Sequence, residues 1–353
     1  MYLYEDNDII FMRYLRFFLF PFSVIYMLIT SFRNLFFSTG IFKEVTYEVP
    51  SLGIGNLVTG GTGKSVAVNY FIALFKKNND VTVLSRGYGR VSKGFQLGSP
   101  TSTAKTLGDE PKMFLTRHPE IRVGVSKSRR KGMQRLLSES TSTGMPVYLW
   151  DDCFQHRWVK PKCMLLLTTY DRPFTKDYLL PVGNLRELSE GAERADAIVI
   201  TKCPNSISKK EMNAIAERIQ IKQHQKLFFS SIKYAEKILN NEREISLSVL
   251  ERISFILVTG IADPSLLVQF LNKMYLDFEH LKYGDHHIFS DKDVTKIKSK
   301  SNGRMVLTTE KDFVRLSKQF DSDLLFYLPI EMEILDGKTE ELNSFVKDKM
   351  MVD

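Results

Sequence analysis

The sequence predicts an α/β protein made of two α/β units. Its 353 residues, 43% of them hydrophobic, can bury one large core or two ordinary ones. A strand, a glycine-rich loop, a helix and a second strand follow one another within about 40 residues, as a right-handed βαβ crossover requires. A second alternation of strand and helix begins near residue 253. We place the junction between the two units at 225–250.

The individual elements follow from hydrophobic periodicity. TYEVPSLGIGNL predicts a strand that runs into the loop, and SVAVNYFIALFKKNND predicts a helix because apolar side chains recur with the helical period from Ala67 to Phe75. VTVLSRG follows as a short strand. The later apolar runs PVYLW, CMLLLT and DAIVI predict buried parallel strands. The second unit is predicted to contain a strand, a helix and a further strand, formed by ISFILVTGI, SLLVQFLNKM and RMVLTTEKD.

The first 40 residues are a separate, aromatic-rich segment with arginines at positions 13, 16 and 33. Its uncharged core from Phe17 to Ser31 would span only about 22 Å as a helix, against about 30 Å of bilayer hydrocarbon, and Pro21 interrupts it. The acidic start and the lack of a clear cleavage site disfavour a secretory signal. We expect a segment that dips into one leaflet with its arginines at headgroup level. A hydrophobic helix packed on its own domain and a true spanning helix are the alternatives.

The net charge and the cysteine content indicate which binding partners and which metal sites to expect. The net charge of +8 comes from 49 basic and 41 acidic residues spread along the chain, which favours an acidic small partner, such as a lipid headgroup or a phosphorylated substrate, over nucleic acid. The three cysteines show no CxxC spacing, and no Cys or His cluster indicates a zinc site. Free thiols in a reducing cytosol are expected.

The stretch GNLVTGGTGKS at 55–65 is similar to a phosphate-binding loop, although the common pattern would have glycine where Val58 stands. Its glycines let the backbone turn tightly and aim N–H groups at phosphate oxygens, and the following helix N-terminus adds a favourable field. Lys64 would reach the β- and γ-phosphates, and Ser65 would offer its hydroxyl to Mg²⁺. A glycine-rich turn that binds nothing is the alternative. The predicted nucleotide-binding residues are Thr59, Gly60, Gly61, Thr62, Gly63, Lys64 and Ser65.

PVYLWDDCFQH supplies an acidic strand end. Asp151 and Asp152 follow four apolar residues, and the carboxyl ends of strands are where open α/β sheets bind ligands. One carboxylate can face Mg²⁺ and the other its water shell; which of them contacts the metal directly is left open. Solvated aspartates in a turn are the alternative.

Three further motifs carry charged groups. In LGDEPKMF, Asp109 is a candidate base for an incoming hydroxyl and Glu110 a candidate near the metal, although Asp109 could instead cap a helix that starts near Pro111. In YGDHHIFSD, His286 beside a carboxylate could orient or share a proton, or be structural. In LPVGNLRE, Arg186 could face phosphate charge or be a surface arginine.

Taken in order, GNLVTGGTGKS, LSRGYGR, GDEP, DDCFQHR, LPVGNLRE, DHHIFS and TTEKD resemble the motifs of the tetraacyldisaccharide 4'-kinases, the lipid A 4'-kinase family of Gram-negative bacteria. The order of seven motifs is far more specific than any one of them. The resemblance implies transfer of the γ-phosphate of ATP to the 4'-hydroxyl of a tetraacyldisaccharide 1-phosphate, the lipid A disaccharide precursor. It also implies Mg²⁺ as cofactor and a peripheral position on the cytoplasmic face of the inner membrane.

Residue roles are also implied by this resemblance. Asp109 and His286 would act as a pair on the attacking hydroxyl, and Arg186 would join Lys64 near the phosphates. The residues implied around the metal are Ser65, Glu110, Asp151, Asp152 and Glu187. Two departures stand out: Cys153 replaces the family's usual glycine, which is tolerated if its φ is negative, and Ser65 replaces a common threonine.

The family resemblance implies two α/β/α domains of P-loop NTPase type and a hydrophobic, membrane-associating N-terminal helix. We therefore expect the N-terminal segment at 1–40, a nucleotide-binding kinase domain at 41–230 and a smaller domain with the DHH motif at 231–353. A membrane-associated switch ATPase or GTPase is the main alternative, but such proteins typically carry lysine where Thr59 stands. A nucleotide-binding scaffold without enzymatic activity would leave Asp109 unexplained.

Overall fold

The computed structural model describes residues 18–139, 144–320 and 323–351. Arg13 and Arg16, which are predicted to lie at headgroup level, are outside the described residues. The chain divides into two compact units. Of the described residues, the first unit comprises 18–84, 128–139, 144–231 and 333–351, and the second unit comprises 85–127, 232–320 and 323–332.

The helices and strands are numbered in chain order. The helices are α1 (Phe20–Ser38), α2 (Lys64–Phe75), α3 (Ala104–Leu107), α4 (Asp109–Arg117), α5 (Arg129–Ser138), α6 (Lys209–Ile219), α7 (Ser265–Lys273), α8 (Asp291–Ser301), α9 (Glu310–Leu316) and α10 (Thr339–Met351). Short 3₁₀ turns occur at Phe174–Lys176, Ser189–Arg194 and Leu247–Arg252. The strands are β1 (Val45–Thr46), β2 (Ser51–Asn56), β3 (Asp80–Ser85), β4 (Gln96–Leu97), β5 (Arg122–Val125), β6 (Pro146–Asp151), β7 (Val159–Lys160), β8 (Cys163–Thr169), β9 (Ala197–Thr201), β10 (Lys226–Tyr234), β11 (Lys237–Leu239), β12 (Glu244–Ser246), β13 (Phe255–Thr259), β14 (Phe278–Lys282), β15 (Val306–Thr309), β16 (Leu325–Leu328) and β17 (Ile330–Ile334).

The first unit is built on a parallel sheet in which β10, β9, β8, β2, β6 and β3 are neighbours in that order. The predicted strands PVYLW, CMLLLT and DAIVI are β6, β8 and β9, and their residues are almost entirely buried. Parallel strands are covered on both faces, which explains why these runs are apolar without alternation. The strand β2, which leads into the glycine-rich loop, lies between β6 and β8.

The second unit carries its own sheet, in the order β12, β11, β16, β15, β13, β14. The pairs from β16 to β14 are parallel, and β11 pairs antiparallel with β12 and β16. Alternate residues of β13 face two different clusters: Leu257 packs with Leu267 and Leu271 of α7, and Ile256 packs with the helices α8 and α9. A sheet with helices on both faces is the predicted α/β/α layering.

Neither unit is contiguous in sequence, whereas the sequence predicts contiguous domains at 41–230 and 231–353. Residues 85–127, which include GDEP, pack with the C-terminal half, because α4 lies against α9. The last helix, α10, returns to β2 and β8 of the first unit. Its apolar side chains Leu342, Val346 and Met350 recur every four residues and are buried there.

Helix α1 has an unusual distribution of side chains. Ser23, Thr30 and Phe37 are buried, while most of its large apolar side chains are exposed. Pro21 stands in the first turn, where a missing N–H costs nothing, so it starts the helix instead of interrupting it. By length and composition α1 is the one helix within residues 18–139, 144–320 and 323–351 that could cross a membrane. The exposed apolar residues are Phe20, Phe22, Ile25, Leu28, Ile29, Phe32, Leu35 and Phe36.

Candidate active site

The glycine-rich loop connects the buried end of β2 to α2, which begins at Lys64. Gly60 has φ +105° and Gly63, at the helix N-cap, has φ +85°. Both values lie in the left-handed region that favours glycine, which accounts for these two glycines. Thr59, Gly60 and Gly61 are exposed, so the outer turn of the loop is open to solvent.

The two threonines of the loop make hydrogen bonds that hold the loop in place. The Thr62 hydroxyl, which is buried, accepts a hydrogen bond from Asn56 Nδ2 at 2.9 Å, and the Thr62 carbonyl accepts one from the Thr201 hydroxyl at 2.9 Å. The Thr59 N–H donates to the carbonyl of Asn184 at 2.8 Å. These bonds fix the loop's shape, and the predicted phosphate contacts fall to the glycine backbone and the start of α2.

Asp152 lies between the two predicted phosphate-binding cations. Its Oδ1 is 3.6 Å from Lys64 Nζ and 3.1 Å from Arg186 Nη1. Burial, the largest influence, raises the pKa of Asp152, but Lys64, Arg186 and Arg129 together outweigh it and lower the pKa below the ordinary value. The carboxylate therefore stays ionised and holds both cations at the mouth of the loop.

The backbone at this strand end is strained. Asp152 has φ +46°, whereas Cys153 is not among the described residues with positive φ. Cys153 is therefore compatible with its position, as expected for a replacement of glycine there. The buried guanidinium of Arg129 donates to the carbonyls of Asp151 and Asp152 and fixes the turn. Backbone strain of this kind persists where surrounding contacts over-determine it.

The oxygen donors here suit Mg²⁺ in chemistry. Asp151 is buried at the end of β6, Asp152 follows it, and Ser65 stands in the first turn of α2. Within the part of the chain that the structure describes, no group of three or more His, Cys, Asp or Glu side chains could hold a metal by itself. A site of one or two carboxylates fits Mg²⁺, which takes its remaining ligands from water and substrate phosphates. The metal-ligand roles remain predictions.

Glu187, which is predicted to lie near the metal, is surrounded by polar side chains of the protein. Its side chain is fully buried, and its Oε2 accepts hydrogen bonds from Asn34 Nδ2 and Arg194 Nη2, both at 2.9 Å. Its Oε1 is 3.3 Å from Gln155 Nε2. The structure therefore gives Glu187 internal polar partners, one of which belongs to α1.

In the second unit, Asp109 is paired with an arginine that the sequence did not single out. Arg315 of α9 donates to Asp109 Oδ2 through Nε at 3.0 Å and also through Nη2. Gly108, not Asp109, is the N-cap of α4, so Asp109 is the helix's first residue and does not cap it. Burial, the largest influence, raises the pKa of Asp109, but His286, Arg315 and Lys311 together hold it at about 2.

His286 lies beside this pair. Its Nδ1 is 3.7 Å from Asp109 Oδ2 and 3.1 Å from Arg315 Nη2, and its Nε2 is 3.2 Å from Lys311 Nζ. A neutral imidazole has one acceptor nitrogen, so only one of the two cations can donate to it at a time. Lys311 also reaches Glu110 Oε1, at 3.5 Å. The structure thus brings the predicted residues Asp109, Glu110 and His286 together around two cations.

The second histidine of the DHH motif serves the fold. His287 Nε2 is 3.1 Å from Asp293 Oδ2, and Asp293 also accepts from Ser290 in the capping box of α8. Of the two adjacent histidines, His286 therefore lies at the candidate site and His287 stabilises the local fold.

A family model matches most of the chain. Residues 15–351 match the family described as tetraacyldisaccharide-1-P 4'-kinase. The chain belongs to this family. The resemblance inferred from the seven motifs, and with it the prediction of a phosphotransferase, is confirmed.

Relatives of the 4'-kinase family match along most of their length. The Tetraacyldisaccharide 4'-kinase of Flavobacterium psychrophilum is 43% identical over 322 residues, covering 91% of this chain and 93% of that protein. Its namesake from Bacteroides thetaiotaomicron is 39% identical over 350 residues, covering 93% and 91%. A crystal structure of LpxK from Aquifex aeolicus in complex with ATP is similar with a TM-score of 0.77 and 28% identity, covering 95% of this chain and 99% of that chain. The predicted fold class is thereby confirmed.

Sequence reasoning missed several residues of these 4'-kinase sites. Lys311 is the lysine of the TTEKD motif, which was recognised but given no role, and Arg315 lies three residues after the motif. Asn34 belongs to a set of polar side chains in the apolar helix α1, at positions 23, 26, 30 and 34. That helical spacing within a hydrophobic segment is a signal that could have found the set.

Proposed function

We propose that this chain transfers the γ-phosphate of ATP to the 4'-hydroxyl of a tetraacyldisaccharide 1-phosphate at the cytoplasmic leaflet of the inner membrane. The observation that carries the proposal is the family match over residues 15–351, which spans both groups of site residues. Phosphoryl transfer needs positioning and charge stabilisation more than covalent chemistry from the protein.

The first unit supplies the phosphate-binding part. The loop backbone would hold the phosphates of ATP, and Lys64 and Arg186 would offset the charge on the group in transfer. Mg²⁺, held through Ser65 and the Asp151–Asp152 pair, would neutralise phosphate oxygens when bound. Since Asp152 already holds Lys64 and Arg186 side by side, little rearrangement is needed before a phosphate can meet both cations.

The second unit supplies the proton acceptor. Asp109 would take the proton of the acceptor hydroxyl, with His286 orienting the hydroxyl or sharing the proton. A pKa of about 2 keeps Asp109 ionised at neutral pH, but it also makes the carboxylate a weak base while Arg315 is bound. We infer that the acceptor hydroxyl displaces one of the Arg315 contacts as it binds, which raises the basicity of Asp109.

Helix α1 supplies the membrane contact. Its outward face is apolar and exposed, whereas its polar stripe is bonded to the first unit through Ser23, Tyr26 and Asn34. A helix held along the protein surface in this way is expected to lie in one leaflet instead of crossing the bilayer. The acyl chains of the acceptor can then stay in the membrane while its sugar is phosphorylated.

Nucleotide turnover with and without the acceptor tests the proposal. ADP formation is measured with vesicles alone and with vesicles that contain the tetraacyldisaccharide 1-phosphate. A kinase forms ADP only with the acceptor, a switch ATPase or GTPase hydrolyses nucleotide without it, and a scaffold does neither. Acceptor-independent hydrolysis at the same rate would overturn the kinase proposal.

A further inference from the structure

Residues 177–187, which we call the bridging segment, lie against helix α1. The Ser23 hydroxyl donates to the carbonyl of Leu179 at 3.0 Å and accepts from the N–H of Val182 at 3.2 Å. The Tyr26 hydroxyl donates to the carbonyl of Arg186 at 2.7 Å, and Asn34 holds the Glu187 carboxylate. Ser23, Tyr26 and Asn34 thus anchor the bridging segment at its start and at its end.

The same segment is bonded to the glycine-rich loop. The N–H of Arg186 donates to the carbonyl of Leu57 at 2.7 Å, and the carbonyl of Asn184 accepts from the N–H of Thr59 at 2.8 Å. Leu185 forms a bridge with Val58 between these two bonds. The bridging segment is therefore bonded both to the entry of the loop and to α1.

Arg186 is the residue at which these contacts meet. Its backbone is held on one side by Tyr26 and on the other by Leu57, and its guanidinium reaches Asp152 and Gln155 at 3.1 to 3.3 Å. A guanidinium aimed at a phosphate is effective only when its position is fixed before the phosphate arrives.

The composition of α1 supports a role beyond membrane contact. A helix that only anchors the protein could pack on it through apolar side chains, since burying a polar group needs a compensating hydrogen bond. The inward face of α1 does contain apolar side chains, since Met27 packs on the core of the first unit and Phe37 is buried, but it also carries Ser23, Tyr26 and Asn34, each of which bonds to the bridging segment.

We propose that Tyr26, supported by Asn34 and Glu187, is a positioning residue that fixes Arg186 for the phosphates of the nucleotide. Helix α1 is then part of the nucleotide site as well as the membrane contact. The proposal rests on the proposed function for the identity of the nucleotide. Because Tyr26 holds the residue whose guanidinium would meet the phosphates, seating of α1 and binding of ATP favour each other through Arg186.

A double-mutant cycle on ATP affinity tests the inference. ATP binding to the full chain in detergent micelles is measured by calorimetry for wild type, Tyr26→Phe, Arg186→Ala and the double variant. Loss of the Tyr26 hydroxyl is expected to weaken ATP binding about threefold to tenfold in the wild-type background. In the Arg186→Ala background the same substitution should have no effect, because Tyr26 acts through Arg186. An equal loss in both backgrounds, or no loss in either, overturns the inference.

Two control variants separate this role from folding and from membrane binding. Tyr47→Phe also removes a hydroxyl that donates to a backbone carbonyl, that of Arg130, and should leave ATP affinity unchanged. Ile29→Ser alters the exposed face of α1 and should weaken binding to phosphatidylglycerol vesicles about tenfold with ATP affinity intact. Tyr26→Phe should show the reverse pattern. A Tyr26→Phe variant that loses vesicle binding but not ATP affinity overturns the inference.

A failure of the proposed function can be distinguished from a failure of the inference about Tyr26. If wild type transfers no phosphate to the lipid acceptor, the kinase proposal falls, while the ATP-affinity cycle still decides the role of Tyr26, since it uses no acceptor.

Discussion

Each unit contains a carboxylate whose pKa nearby cations lower, and the two arrangements suit opposite tasks. Asp152 of the first unit lies between Lys64 and Arg186, and Asp109 of the second unit lies beside Arg315 and Lys311. Both carboxylates have a lowered pKa. In the first unit the cations border the loop that we propose binds phosphate, so the carboxylate holds them in place. In the second unit there is no such loop in the described residues, and we propose that the carboxylate itself is the reactive group.

The difference teaches that a lowered pKa does not by itself identify a base. At Asp152 it accompanies a strained backbone and a buried strand end, which suit a fixed electrostatic element. Asp109 stands in the first turn of a helix, with its side chain 23% exposed against 28% for Asp152, so backbone setting and neighbouring groups, and not exposure, distinguish the two carboxylates. The roles can therefore be separated by substitutions at matched positions.

The largest effect is expected at Asp109. Asp109→Asn should lower kcat about 10²- to 10⁴-fold, because the amide cannot accept the hydroxyl proton. The affinity for ATP, measured by calorimetry, should stay within about twofold, since a kcat effect without a binding effect marks an interaction made only in the transition state. Near-normal turnover would remove Asp109 from the mechanism.

Lys64 should show the opposite pattern in binding. Lys64→Met keeps most of the length of the unbranched side chain but removes its charge, and ATP affinity should fall about 10- to 100-fold, the scale of a charged hydrogen bond. Lys77 is exposed and lies two residues after the end of α2, the helix that begins at Lys64. Lys77→Met is the matched control and should bind ATP normally. Equal affinities for the two variants would mean that the loop does not bind the phosphates through Lys64.

The comparison also explains what the sequence could and could not predict. The loop, the start of α2 and the acidic strand end lie in short stretches whose composition dictates their form, and all three were predicted. Arg315 lies 206 residues after Asp109, and only the packing of α4 against α9 brings them together. No local pattern carries that information. The non-contiguous units arise in the same way, because α10 returns to the first sheet through apolar residues that would suit many partners.

A third effect should separate the two carboxylates by their response to metal. Asp152→Asn should raise the Mg²⁺ concentration for half-maximal rate about tenfold, as loss of a metal-site carboxylate commonly does. Asparagine tolerates the left-handed backbone at this position, so the fold should persist. Asp109→Asn should leave the Mg²⁺ dependence of its residual rate unchanged, and a shared shift in both variants would place Asp109 at the metal.

The smallest effect concerns stability and pH. A folded-state pKa of about 2 against an ordinary value of 3.8 means that ionised Asp109 stabilises the fold above about pH 4, and that this contribution is lost as the pH falls toward 2. With allowance for solvent screening, Asp109→Asn should cost about 1 kcal/mol in the free energy of unfolding at pH 7. Urea unfolding should show the difference from wild type shrinking between pH 4 and pH 2. A constant difference would mean that Arg315 does not hold the carboxylate ionised.

The central claim is phosphate transfer to one hydroxyl of a lipid sugar, and its most direct test uses two acceptors. Wild-type protein is given ATP labelled in the γ-phosphate, Mg²⁺, and vesicles that contain either the tetraacyldisaccharide 1-phosphate or its 4'-deoxy analogue. We expect label in the first lipid and none in the second. Label in both lipids, or release of labelled phosphate with neither lipid labelled, would contradict the claim.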